Sequence, residues 1–404
     1  MKAKVSILTR EFAKALAVST KLINRKNALP ILGDSLLRYN DRGQFTLTSS
    51  NSDAWLQLPL PQMTCNEYYD DNDRLMNAKP FAVGLHSAEL LSAIQSLPDM
   101  LLQIWLDFEK QTMRVEYFTG GGEQDKGGRF EMPFDLADDY PQAPALDKPD
   151  LTLKADGKTL LPLIRSARLA TANDELRPQM SCVCLDIRQD EYAVVGSDGH
   201  MLIADRVNFG VGTGVLTGQP QVLLLHKSIV DTLQTAFSTQ DALTVKATPQ
   251  VVAIESGDTV LTVRSVEQRY PNWQSVIPKD SKHETTVFKG SLIAALKRVQ
   301  LFASDSSNMV RLQFEGDVLT VSGQDYDFSK TAEERVSLQS STVPDGFAIG
   351  VKASTLLDVL STVRTENVIL HLTDASRAIV LREEDQQSLY QSLCMPMLLN
   401  DNPA

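Results

Sequence analysis

Two kinds of hydrophobic spacing alternate along the chain. Stretches with apolar residues every third or fourth position predict amphipathic helices, and each is flanked by alternating segments that predict half-buried strands. Three stretches open in the same way: "KVSILTREFAKALAVSTKLI", "LTLKADGKTLLPLIRSARLA" and "TTVFKGSLIAALKRVQLFA". They run into "DSLLRYNDRGQFTLTSSNSDAWLQLPL", "SCVCLDIRQDEYAVVGSDGHMLIADRV" and "MVRLQFEGDVLTVSGQDYDFSKTAEERV", which read as strand, turn, strand, a Ser/Gly/Asp-rich corner, strand. A second set, "FAVGLHSAELLSAIQSL", "VLLLHKSIVDTLQTAF" and "FAIGVKASTLLDVLSTV", repeats the strand and helix and again leads into alternating strands.

Self-similarity at a fixed period signals repeated architecture. The second-set segments close at Tyr140-Pro141, Tyr270-Pro271 and Met395-Pro396, about 125 to 130 residues apart. The expectation is three similar domains, each of two β-α-β-β-β half-repeats, with boundaries at 1–147, 148–281 and 282–404. One-face alternation calls for antiparallel sheets covered by helices, so the class is α+β. "NEYYDDND" and "TGGGEQDKGG" read as solvated insertions in the first domain, and "FGVGTGVLTG" as a linker loop.

The length of 404 residues accommodates several cores, and 43% apolar with 22% charged residues is a soluble globular composition. No run of about 18 apolar residues appears and the N-terminus develops no signal-like region, so no membrane partner and a cytoplasmic location are expected. Cys65, Cys182, Cys184 and Cys394 lack zinc-ribbon or redox spacing and read as reduced thiols. The net charge of −12 hides a local opposite. Residues 10–26 carry Arg10, Lys14, Lys21, Arg25 and Lys26 against Glu11; 158–168 carry Lys158, Arg165 and Arg168; 289–298 carry Lys289, Lys297 and Arg298. One such helix is ordinarily a solvated face. Three corresponding helices of one sign suggest a basic surface for a phosphate backbone, contacted without base stacking or sequence readout.

Enzyme chemistry finds no constellation. The histidines form neither His-x-His nor His-Glu-x-x-His, so neither metal nor cofactor is expected. "SDGHML" sets Asp198 beside His200, but the corresponding corners "SSNSDAW" and "SGQDYDF" contain no histidine. Asp-Gly is a strong turn signal, with Gly199 free to take positive φ. Asp198 and Gly199 are therefore read as turn builders, leaving His200, Met201 and Leu202 to line a surface.

With its triplicated domain, basic first helices, "LPILGDSLL", "SDGHML", "RYPNWQSVIPK" and terminal "CMPML", the chain resembles the bacterial DNA polymerase III beta subunit, the β sliding clamp family, over essentially its whole length. The resemblance implies a DNA clamp fold whose two copies close head to tail into a homodimeric ring around double-stranded DNA. It implies a non-catalytic processivity factor that tethers the replicative polymerase catalytic subunit and other clamp-binding-motif proteins, and is opened by a separate clamp loader complex. The basic helices, with Arg25 and Lys26 in the loop after the first, would face the DNA. A groove for Gln-Leu-x-Leu-Phe-like peptides would involve Met180, Ser197, Gly199, His200, Met201, Leu202, Pro271, Ser275, Val276, Ala378, Cys394, Met395, Pro396, Met397 and Leu398. Ring closure would set Phe130 and Met132 against Leu301 and Phe302 of the second copy.

Met201, Ser275 and Leu398 stand where better-known members carry arginine, so the groove is expected to be more apolar and its affinity little dependent on salt. "NDNPA" extends the C-terminus. The rival readings are a scaffold of the same fold that does not encircle DNA, and a carboxylate hydrolase using Asp198 or "YYDDND", for which no paired acid and base is found.

Overall fold

The computed structural model describes residues 1–23, 29–118, 126–137, 139–210, 214–239 and 241–399. Six helices punctuate an otherwise β-rich chain among these residues: α1 (Thr9–Ser19), α2 (Ser87–Ile94), α3 (Gly157–Leu169), α4 (Val230–Ala236), α5 (Lys289–Val299) and α6 (Ala353–Thr362). Each follows a strand directly or through a short turn and precedes antiparallel strands, so the class is α+β and the half-repeat order is the one the spacing predicts. In α1, Phe12 and Leu16 lie one turn apart and are fully buried, whereas Arg10 and Lys14 occupy the outer face.

The chain forms two compact units. The first holds residues 1–158, 216–218 and 228–265; the second holds 159–215, 219–227 and 266–404. Each thus combines one whole terminal repeat with one half of the central repeat.

In the first unit, a ten-stranded sheet is joined where Ala54–Pro59 pairs with Thr259–Arg264, in the register Leu56↔Leu261 and Trp55↔Thr262. Leu56 and Leu261 are fully buried, and burial of each contributes about 1.5–3 kcal/mol. A five-stranded sheet runs Thr64–Tyr69, Lys2–Leu8, Leu101–Asp107, Thr112–Phe118, Lys126–Pro133, and α1 packs on α2. In the second unit the corresponding junction pairs Met201–Asn208 with Gln391–Cys394, within a thirteen-stranded arrangement.

Three loop expectations are corrected. Asn66–Tyr69 of "NEYYDDND" belongs to the strand Thr64–Tyr69, because Lys2, Ala3 and Lys4 of the N-terminal strand pair with Tyr69, Tyr68 and Glu67. Asp71 and Asp73 beyond it pair with the Met1 amino group and Lys2. Within "FGVGTGVLTG", Val215–Gly218 forms a strand beside Leu151–Asp156; in "TGGGEQDKGG", residues 126–128 begin the strand Lys126–Pro133, and residues 119–125 lie outside the described set.

Candidate functional site

The corner that opens the "SDGHML" stretch is built by its aspartate. Asp198 Oδ1 accepts the backbone N–H of His200 and of Met201, both at 2.7 Å, and Gly199 takes φ +92°. Ser197 Oγ donates to Met201 O at 2.9 Å. Asn51 does the same in the first repeat, accepting from Asp53 and Ala54 N–H at 3.1 and 2.8 Å; in the third, Asp325 accepts from Asp327 and Phe328. An aspartate engaged this way serves the turn, and His200 points outward as an exposed residue.

The corner brings distant parts of the chain together. Met201 pairs with Cys394 and Leu202 with Leu393, and Met395 N–H donates to His200 O at 2.8 Å. "SDGHML" and "CMPML" therefore lie side by side. Pro396 and Met397 continue as a short strand paired with Val351 and Gly350.

Successive strand residues point to opposite faces, and this corrects two expected contacts. Met201 and Cys394 turn into the core of the third repeat, with 7% and 0% exposure, among Val287, Leu356 and Ile379. Leu202 and Leu393, their neighbours, turn the other way and join Ala378, Tyr270, Trp273 and Cys184 in a separate apolar cluster. Leu202 and Ala378 thus supply a buried floor. Trp273 anchors it, donating from Nε1 to Asp186 Oδ2 at 3.0 Å. Tyr270 and Trp273 belong to the quoted "RYPNWQSVIPK", but as site supports they were not singled out.

Of the remaining expected groove residues, Val276 is 53% exposed, Met395 40% and Leu398 86%. Pro271, Ser275, Gly199 and His200 are exposed too; Ser197, Pro396 and Met397 are half-buried, and Met180 is buried in the turn Pro178–Ser181. Of Met201, Ser275 and Leu398, only Ser275 and Leu398 face solvent. A shallow apolar surface over a tight floor suits recognition of a short apolar peptide.

On the sheet face that carries Met201 and Ile379, Arg364 joins the strand Met201–Asn208 to the strand Ile379–Glu383. Its Nη2 lies 2.8 Å from both Asp205 Oδ2 and Glu383 Oε2, and its Nε donates to Glu383 Oε1 at 2.9 Å. Burial pushes the Asp205 carboxyl up to about 6 in spite of Arg364, whereas hydrogen bonds from Arg364 and Ser388 outweigh desolvation and hold Glu383 below the usual range. The four thiols are free; burial pushes Cys182 and Cys394 up to about 12, which leaves them unreactive.

A second feature is the basic set of first helices. Arg10, Lys14 and Lys21 are exposed along one face of α1 and its extension. Arg10 also contacts Glu11 and Asp99 at 3.5 and 3.8 Å. Lys158 and Arg165 are exposed on α3, seven residues apart, with Arg168 half-buried; Lys297 and Arg298 are exposed on α5. Two cations are diverted: Arg298 is ion-paired with Glu334, and Lys289 Nζ donates to Val363 O at 2.6 Å. Arg25 and Lys26 lie outside the described residues.

Of the four expected closure residues, Leu301 and Phe302 are exposed at 69% and 41%, just after α5. Phe130 and Met132 are half-buried against their own domain core, on the outer strand of the five-stranded sheet.

Repeated β-α-β-β-β halves, edge-to-edge strand junctions and basic leading helices define the sliding-clamp class of fold. Residues 274–398 match the family model described as DNA polymerase III beta subunit, C-terminal domain. A beta sliding clamp of Pseudomonas putida is 23% identical over 395 residues, spanning 96% of this chain and 97% of the relative; one of Caulobacter vibrioides is 24% identical over 405 residues, spanning 98% and 99%. The crystal structure of a sliding clamp from Pseudomonas aeruginosa bound to griselimycin superposes with TM-score 0.84 at 20% identity, covering 99% of this chain and all of that one. The beta subunit of Thermotoga maritima gives 0.82 at 19%, covering 98% and 100%. Over its whole length the chain is thus similar to beta sliding clamps, and its C-terminal part matches the family model of the DNA polymerase III beta subunit.

Proposed function

We propose that this protein is a DNA sliding clamp: a non-catalytic processivity factor whose two copies close head to tail around duplex DNA and hold polymerases on it by their peptide motifs. The observation that carries the reading is a junction made twice within the chain and left open once. The strand after the first corner, Ala54–Pro59, pairs with the last long strand of the following repeat, Thr259–Arg264; after the second corner, Met201–Asn208 pairs with Gln391–Cys394. After the third corner comes Lys330–Ser341, whose residues 330–337 pair on one side only, with Val318–Asp325. The matching strand of the first repeat, Lys126–Pro133, is likewise the outer member of its sheet.

Among the described residues nothing pairs with the second side of residues 330–337. A second copy, turned head to tail, supplies Lys126–Pro133 to it, and the same operation covers the other pair of edges, giving a closed two-fold assembly. The charges are complementary: Arg129 and Glu131 on one edge, Glu333 and Arg335 on the other. Three sequential domains of about 130 residues per chain then place six similar domains in the ring.

Lys14, Lys21, Lys158, Arg165 and Lys297, exposed and outside any ion pair among the described residues, suit contacts with phosphates that do not depend on sequence, as sliding requires. The partners are those the resemblance implies: the polymerase catalytic subunit, other motif-bearing proteins and a separate loader that opens the ring. Among the described residues no helix is long and apolar enough to cross a membrane, and the reading places the protein in the cytoplasm.

The test measures retention on nicked circular DNA against the same DNA linearised, with wild-type protein and a Lys14→Ala, Arg165→Ala, Lys297→Ala variant. A clamp stays on the circle, slides off the linear form and is lost faster when the charges are removed. Equal loss from both DNAs, indifferent to the substitutions, would instead favour the scaffold reading.

A further inference from the structure

Three ligand-bearing side chains from separate parts of the first repeat meet at one point. Asp34 ends the turn Pro30–Gly33, His86 immediately precedes α2, and Asp135 opens the short strand Asp135–Leu136, where it pairs with Gly84. One ligand atom of each lies within 4.8 Å of the others.

The buried member is left incomplete by the protein. Asp34 is only 4% exposed. Its Oδ1 lies 2.7 Å from His86 Nδ1, whereas its Oδ2, equally removed from water, has no donor and only the Asp135 carboxyl beside it. That oxygen lies on the side from which Asp135 approaches: a β-carbon on Gly84 would sit 3.2 Å from Asp34 Oδ2 and 3.4 Å from Asp135 Cβ. A dry carboxylate oxygen without a donor is costly, and a second carboxylate beside it adds repulsion. A cation among the three groups relieves both.

We propose that Asp34, His86 and Asp135 bind a divalent transition-metal ion of the zinc class, with water completing its coordination. One imidazole nitrogen and two carboxylate oxygens suit zinc; magnesium and calcium favour larger all-oxygen sets. For Nδ1 of His86 to ligate, its proton leaves or moves to Nε2, and the hydrogen bond to Asp34 is replaced by the shared ion. Asp135 is exposed and His86 partly so, which provides entry and room for water. The ion ties Asp135–Leu136 to the turn before α2. It thereby steadies the segment leading to Tyr140, whose hydroxyl donates to Thr48 O at 3.3 Å and Asp34 O at 3.4 Å.

Full-length protein stripped with EDTA is titrated with zinc chloride by calorimetry, and with magnesium chloride in parallel. The expected result is one zinc per chain at this site, weakened more than about tenfold by Asp135→Asn and by His86→Ala. His283→Gln, at a histidine elsewhere, should leave it unchanged. Zinc should raise the Tm of the wild type but not of Asp135→Asn, an exposed substitution that leaves the fold intact. Zinc binding indifferent to both substitutions, or no binding at submillimolar metal, overturns the proposal and leaves the carboxyl groups to share a proton.

Discussion

Leu398 offers the most direct test of the peptide surface. It is 86% exposed and follows Pro396–Met397, whose pairing with Gly350 and Val351 holds the backbone there. Leu398→Ala removes three carbons that contact mainly water, so the change in stability should stay within about 0.5 kcal/mol. A peptide that covers Leu398 buries those carbons at about 0.8 kcal/mol each, so full cover contributes roughly 2 kcal/mol, or about 30-fold in Kd. Val276, already half covered at 53% exposure, should lose about 1 kcal/mol, or about fivefold, on truncation to alanine. Leu202 cannot serve, because at 1% exposure its truncation would cost about 2–5 kcal/mol of folding stability and confound binding. The assay is fluorescence anisotropy with a labelled Gln-Leu-x-Leu-Phe peptide, repeated at low and physiological salt, with thermal melts of each variant. An unchanged Kd for Leu398→Ala would refute the assignment of this surface. A steep fall of wild-type affinity with salt would refute its apolar character.

Further outcomes concern the packing of the second unit. Asp205 titrates near 6 in the fold against 3.8 normally, so the folded state holds its proton more tightly and this carboxyl's contribution falls as pH rises through that window. Asp205→Asn should abolish that decline, about 3 kcal/mol at most, in urea melts between pH 4 and 6.5. Arg364→Leu leaves Asp205 and Glu383 buried without their cation and should cost about 3 kcal/mol at pH 7, the low end of the usual range because the guanidinium is half exposed; an unchanged urea midpoint would contradict the role given to it. Gly196→Ala should prevent normal folding of the central half-repeat, since its β-carbon would fall 1.9 Å from Ala167 O on α3; a native circular dichroism spectrum and melt would count against that packing.

Much of the architecture was legible because it is local. Helical and strand periods, the Asn51, Asp198 and Asp325 corners and the charge of the leading helices each depend on residues a few positions apart. So does the half-repeat order, which follows from their succession. The apolar run of "SDGHML" and "CMPML" was also legible, but treating each run as one surface hid the alternation that sends Met201 and Cys394 into the core and Leu202 and Ala378 to the floor. The charge count likewise could not tell a free cation from an engaged one: Lys297 stays exposed, while Arg298 is held by Glu334, 36 positions away.

By itself, then, the sequence determined the elements, their threefold recurrence and the residue types available to each surface. Tertiary structure decided which of those residues meet. Arg364 finds Asp205 and Glu383, Asp34 finds His86 and Asp135, and two strand junctions are satisfied within the chain while, among the described residues, a third pair of edges is left open. These encounters depend on sheet pairing between segments dozens to hundreds of residues apart. Side-chain spacing along the chain carries no record of them, because strand register and chain crossing, rather than local conformational preference, bring the groups together.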